Sequence, residues 1–149
     1  MLRTRRASYA LVAALAIATV ACSSPSSSRS AAGSPDTSTS GEVASTVKDF
    51  SISLDPTEVA AGEVKFTITN EGPSTHEFVV VKSDTAPGDL PVDGELVSED
   101  GIDMIGEAED IAPSTSAELV LTLEAGKYAI ICNIESHYAQ GMSAGLTVT

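Results

Sequence analysis

Cys132-Asn133-Ile134-Glu135-Ser136-His137-Tyr138-Ala139-Gln140-Gly141-Met142 places a thiol, an imidazole and a thioether within eleven residues near the end of the chain. These are the soft and borderline donors suited to an ion that cycles between Cu(I) and Cu(II). The preceding run, Lys127 to Ile131, is rich in tyrosine and isoleucine, and the following run, Leu146-Thr147-Val148-Thr149, alternates apolar with polar. Both read as β-strands. The three donors therefore share one loop between two strands. A loop pinned at both ends by a sheet holds donors where the fold puts them, not where a metal would pull them.

The chain has two histidines, and the second, His76, lies far upstream. It follows a strand-like run, Val64 to Asn70, across a Gly-Pro turn and opens another run, Phe78 to Val81. Two imidazoles and one thiolate in a plane, with a weak axial thioether, make a blue-copper electron-transfer site. His76, Cys132, His137 and Met142 supply one candidate for each position. Of the other candidate donors, Gln140 stands close to His137 as an alternative axial oxygen, and Met104 reads as a packing residue.

The pattern Asn70-x-Gly72-x-x-x-His76-x-Phe78, followed by Gly126-x-Tyr128-x-x-x-Cys132-x-x-x-x-His137-x-x-x-x-Met142, resembles the type 1 copper proteins of the cupredoxin family, with loop spacing similar to that of rusticyanin and auracyanin. The resemblance covers roughly residues 43 to 149. It implies one type 1 copper ion held by His76, Cys132, His137 and Met142, with electrons passing through the His137 ring edge. It also implies a redox protein partner such as a cytochrome or a terminal oxidase. Four protein ligands leave no open position for a substrate, so the expectation is an electron carrier and not an enzyme. Two other readings are a copper delivery or storage module, which would favour Met- and His-rich exchangeable sites, and a metal-free cupredoxin-like interaction domain.

Two departures from the family pattern bear on the loops. Glu77 follows His76 where many relatives have asparagine or serine, and a carboxylate cannot donate the hydrogen bond that ties the two ligand loops together. Glu135-Ser136 replaces the Pro-Gly pair often found before the second histidine, which predicts a less rigid loop.

The N-terminus reads as an export segment. Met1-Leu-Arg-Thr-Arg-Arg6 is basic, and Tyr9 to Val20 is an alanine-rich apolar run. At about twelve residues that run is too short to span a bilayer and suits a signal peptide over 1–21. It ends Thr19-Val20-Ala21-Cys22, similar to a bacterial lipobox, so Cys22 is the expected lipid attachment site and the protein is expected at the outer face of the cytoplasmic membrane. Thr4-Arg5-Arg6 leaves twin-arginine export open beside the general route. With Cys22 lipidated, Cys132 is an odd thiol in an oxidising compartment, and metal ligation accounts for it. Residues 22–41 carry nine serines and little apolar area, the composition of a flexible tether with a root-mean-square reach of ~24 Å.

Across 149 residues the net charge is −13, and loss of Arg3, Arg5 and Arg6 with the signal peptide makes it more negative still. Such a surface excludes nucleic acid, favours a soluble monomer and suits a partner with a basic docking face. From residue 42 onward, period-two alternation and turn signals predict an all-β Greek-key sandwich of seven or eight strands. Phe50, Ile52 and Leu54 read as one strand face, and Val64, Phe66 and Ile68 as another. The stretch 84–112 stands apart. Residues 84–110 hold ten acids and no base. It reads as an excursion from the sandwich, with a helical turn near Glu95 to Asp100, either solvated or serving as the docking face.

Overall fold

The computed structural model describes residues 41–149. The expected signal peptide (1–21), the expected lipid site Cys22 and the expected tether up to residue 40 lie outside the described residues, and Gly41, counted with the tether, opens the first strand. Within them the fold is all-β. A four-stranded sheet has the order β2 (Ser51–Asp55), β1 (Gly41–Lys48), β4 (Gly62–Asn70), β9 (Ser116–Leu123). A five-stranded sheet has the order β3 (Glu58–Val59), β11 (Ser143–Val148), β10 (Gly126–Ile131), β5 (His76–Lys82), β8 (Asp103–Ile111). A small ribbon pairs β6 (Val92–Asp93) with β7 (Leu96–Val97). Apart from three two-residue pieces, the strands number eight among the described residues, as the alternation predicts. The β1–β4 and β3–β11 pairs are parallel and the others antiparallel, so both main sheets are mixed.

Alternation decides which side chains enter the sandwich. Val64, Phe66 and Ile68 of β4 face inward, as do Phe78 and Val80 of β5 and Ile130 of β10, all with no exposed surface. The Phe66 and Phe78 rings meet across the sheets at 5.4 Å, tilted by 56°. Burying one such side chain stabilises the fold by roughly 1.5–3 kcal/mol. Phe50 departs from the expected strand face. It sits in the two-residue turn between β1 and β2, with φ of 70° and its side chain exposed.

The acidic stretch differs from the expected loop in two ways. Its last third is a sandwich strand, since residues 103–111 form β8 and pair with β5 from His76 to Lys82. Its helical turn is a 3-10 helix at Glu99–Gly101, which overlaps the C-terminal end of the expected bounds and runs one residue past them. The remainder covers the outer face of the five-stranded sheet. Leu90 and Val97 are buried there against Val79, Val81, Ala129 and Ile131, with Ile102 alongside. This cover explains why Phe78-Val79-Val80-Val81 is continuously apolar, because β5 is buried on both faces.

The cover is fastened to the Cys132–Met142 loop by polar bonds. The Tyr138 hydroxyl donates to the Pro87 carbonyl and accepts from the Leu90 N–H, each at 2.8 Å. The Asn133 side chain pairs with the Val97 backbone in both directions, at 2.7 and 3.2 Å. The Ser136 hydroxyl donates to Glu95. Tyr138→Phe leaves the Leu90 N–H without its acceptor, at an expected cost of about 1–3 kcal/mol. Urea denaturation should register that loss, and amide exchange should accelerate across residues 84–102; unchanged exchange there would contradict the fastening role.

Candidate metal centre

The β10–β11 register sets the first two candidate donors. Ile131 pairs with Ser143, so the next step along the ladder places Cys132 opposite Met142. The Cys132 N–H donates to the Met142 carbonyl at 3.2 Å. Opposite residues of an antiparallel pair project to the same face. Both side chains are fully buried in the inter-sheet core. Between them the loop folds back on itself: the N–H of Met142 reaches the His137 carbonyl at 3.2 Å, and Gly141, at φ of 96°, makes the reversal. Ser136 occupies φ of 69°, in place of the glycine expected there, and its bond to Glu95 helps hold it.

The third candidate comes from β5. The His76 ring is fully buried and approaches the loop from the other side. Cys132 Sγ lies 3.4 Å from His137 Nδ1 and 3.9 Å from His76 Nδ1, and the two nitrogens are 3.3 Å apart. The centre of that triangle is about 2.1 Å from each corner, the length of a metal bond to imidazole nitrogen and about 0.2 Å short of one to thiolate sulfur. Three donors converge on a point without rearrangement of the backbone. His76, Cys132 and His137 form the His/Cys/Asp/Glu cluster with metal-binding geometry found among the described residues. Gln140 is exposed and its amide donates to the Ser136 carbonyl, while Met104 is half-exposed on β8.

The strand bearing His76 is tied to the sulfur by backbone. The Glu77 N–H donates to Cys132 Sγ at 3.3 Å. The link between the two ligand segments therefore does not need the side chain at position 77. The Glu77 carboxyl is instead held above the usual carboxylate range, first by burial and then by Glu107, Glu109, Asp110 and Glu99. Burial likewise pushes the Cys132 thiol up, against the N–H groups of Glu77 and Ile134. Burial, followed by the neighbouring His137, holds His76 below its ordinary value, which Asp49 opposes.

Asn70 organises the loop ahead of His76. Its amide nitrogen donates to the carbonyls of Ser74 and Ile111, and its oxygen accepts from the Gly72 N–H, all at 2.8 Å. The loop passes against the β1–β2 turn, where Asp49 Oδ1 lies 3.0 Å from His76 Nε2 and the Phe50 ring stands edge-on to His137 at 5.6 Å. Neither Asp49 nor Phe50 carries any sequence signal pointing at the centre. They reach it through the β1–β4 pairing, which only the folded chain reveals.

The cupredoxin-like domain family matches residues 11–143 of the chain. The chain belongs to that family. Solved structures similar to it include reduced auracyanin from Roseiflexus castenholzii, at 26% identity over 75% of this chain and 98% of that one, with a TM-score of 0.56. Auracyanin A, a blue copper protein from Chloroflexus aurantiacus, matches at 22% identity over 73% and 100%, with a TM-score of 0.50. Rusticyanin from Thiobacillus ferrooxidans matches at 18% over 74% and 78%, with a TM-score of 0.56. No curated protein matches the chain. The His–Cys–His cluster in this cupredoxin-like domain fits one type 1 copper ion.

In the metal-free domain His76 and Cys132 should make opposite pH-dependent contributions to stability. His76 takes up its proton at lower pH in the folded chain than in the unfolded one, so stability falls as pH drops below about 6.5. Cys132 keeps its proton to higher pH when folded, so stability also falls as pH rises past about 9. Urea midpoints across that range test both signs. Asn70→Ala strands three backbone groups and should cost about 3 kcal/mol or more by the same measurement.

Proposed function

We propose that this protein is a single-copper electron carrier in which His76, Cys132 and His137 would hold the ion, with Met142 as a fourth, weaker donor. The observation that carries the reading is the triangle of two Nδ1 atoms and one Sγ, with edges of 3.3 to 3.9 Å and with His76 and Cys132 fully buried. Bound copper supplies a one-electron couple. The chain supplies the rest. Cys132 gives up its proton to bind as a thiolate, and the Glu77 N–H stabilises the charge left on sulfur. His76 is neutral at pH 7, as a ligand must be. Core packing buries the Cys132 and Met142 side chains away from water and would restrain the donors as the charge of a bound ion changes. His137 is only partly buried, beside the exposed Phe50, and offers an electron path from the centre to the surface.

The same reading extends to placement and partner. The basic and apolar N-terminal segment and Cys22 support export and a lipid anchor on the outer face of the cytoplasmic membrane. No helix among the described residues is long and apolar enough to cross a membrane. Lys48, Lys65 and Lys82 are each paired with a glutamate, so the acidic surplus dominates the surface. Glu77, Glu99, Glu107 and Glu109 line one groove that begins beside the metal centre. That groove suits a redox protein with a basic face, and the encounter would weaken with salt.

Loading the purified domain with Cu(II) should produce an intense thiolate-to-copper absorption band that a reductant bleaches reversibly. Cys132→Ser should abolish it, and Met142→Ala should keep the colour while shifting the reduction potential. A pale complex that loses copper readily to a chelator would overturn the carrier reading.

A further inference from the structure

The β1–β2 turn, Asp49-Phe50, contributes neither a donor nor a sandwich contact that its sequence announces, yet it touches both histidines. Asp49 Oδ1 and His76 Nε2 are both buried, lie 3.0 Å apart and have no other hydrogen-bond partner. The separation is that of a hydrogen bond, although the N–H axis is not aligned on the oxygen. The carboxylate is itself held, because the Ser74 hydroxyl donates to Asp49 Oδ2 at 3.0 Å. The contact depends on a glycine. A Cβ at Gly72 would stand 2.9 Å from His76 Nε2, 3.0 Å from Asp49 Oδ1 and 3.1 Å from the Asp49 nitrogen. On the other side of the turn, Phe50 adopts a left-handed φ of 70° and presents its ring to His137. A bulky residue in that region is strained, and the surrounding structure must hold it there.

We propose that Asp49 is a positioning residue for the metal centre: it accepts the Nε2–H of His76, fixing the tautomer whose Nδ1 lone pair faces Cys132 Sγ and His137 Nδ1. An imidazole has one proton to place when neutral, and the group bonded to one nitrogen decides which nitrogen is free to ligate. With Nε2–H committed to a carboxylate, Nδ1 is the donor. The carboxylate also makes the imidazole a stronger base towards a cation. It therefore favours the more highly charged oxidation state of a bound ion and lowers the reduction potential. Gly72 leaves the space for the contact, and Ser74 keeps the carboxylate turned towards it.

This inference rests on the copper-carrier reading, and its test separates the two. Asp49→Asn and Asp49→Ala are compared with the unaltered domain, each first shown to be folded by its amide spectrum. Three quantities are read: Cu(II) affinity by competition with a chelator, reduction potential, and the His76 tautomer in the metal-free domain from ring nitrogen shifts. Asp49→Ala should weaken affinity 10- to 100-fold. It should also favour Cu(I) about tenfold, an upward shift of about 59 mV for one electron. Asp49→Asn keeps an acceptor oxygen without the charge, so it should retain the Nε2–H tautomer and most of the affinity while still raising the potential. A merely structural role would leave potential and tautomer unmoved. If the unaltered domain binds copper and both variants match it in all three quantities, the positioning role is wrong and the carrier reading stands. If the unaltered domain binds no copper and its ring shifts show no Nε2–H preference at His76, both fail.

Discussion

The antiparallel register between β10 and β11 is the constraint on which the metal centre depends. Ile131 opposite Ser143 leaves the next pair no freedom: Cys132 must face Met142, and their side chains must enter the inter-sheet core together. A slip of one residue would turn both outward. The register is protected on the other side of β10 by β5, where Ile131 pairs with Val79. That pairing brings His76 and the Glu77 N–H to the sulfur. One pair of strand contacts thus gathers residues from two distant segments, and the sheet, not the metal, provides the alignment.

The loop from Cys132 to Met142 could be read directly because thiol, imidazole and thioether carry their chemistry in the residue type. His76 could be read because the chain has no other histidine to complete the set. What the sequence concealed was the company these residues keep. Asp49 looks like any acid before a strand, and its nearness to His76 arises from β1 lying beside β4. The cover over the five-stranded sheet was hidden differently. Its ten acids dominate the composition, while the few residues that make it adhere, Leu90, Val97 and Ile102, are dispersed among turns without a period. The continuous apolar run of β5 did imply something on its outer face, but not that the acidic stretch would provide it.

The departures from the family pattern become intelligible at the level of bonds. A glutamate at position 77 is tolerated because the main chain, and not the side chain, reaches the sulfur. Ser136 takes a left-handed conformation without glycine's freedom, and a hydrogen bond to Glu95 in the cover offsets the strain. Tyr138 and Asn133 add two more ties to the same cover. The loop gains from its surroundings the rigidity that Pro-Gly would have given locally.

Strand β8 closes one side of the five-stranded sheet and, among the described residues, has an unpaired edge. Such an edge is a template on which another polypeptide can polymerise. Here Asp103, Glu107, Glu109 and Asp110 lie along it. Two copies meeting there would set carboxylate against carboxylate. Association of two copies through this edge is therefore disfavoured by charge.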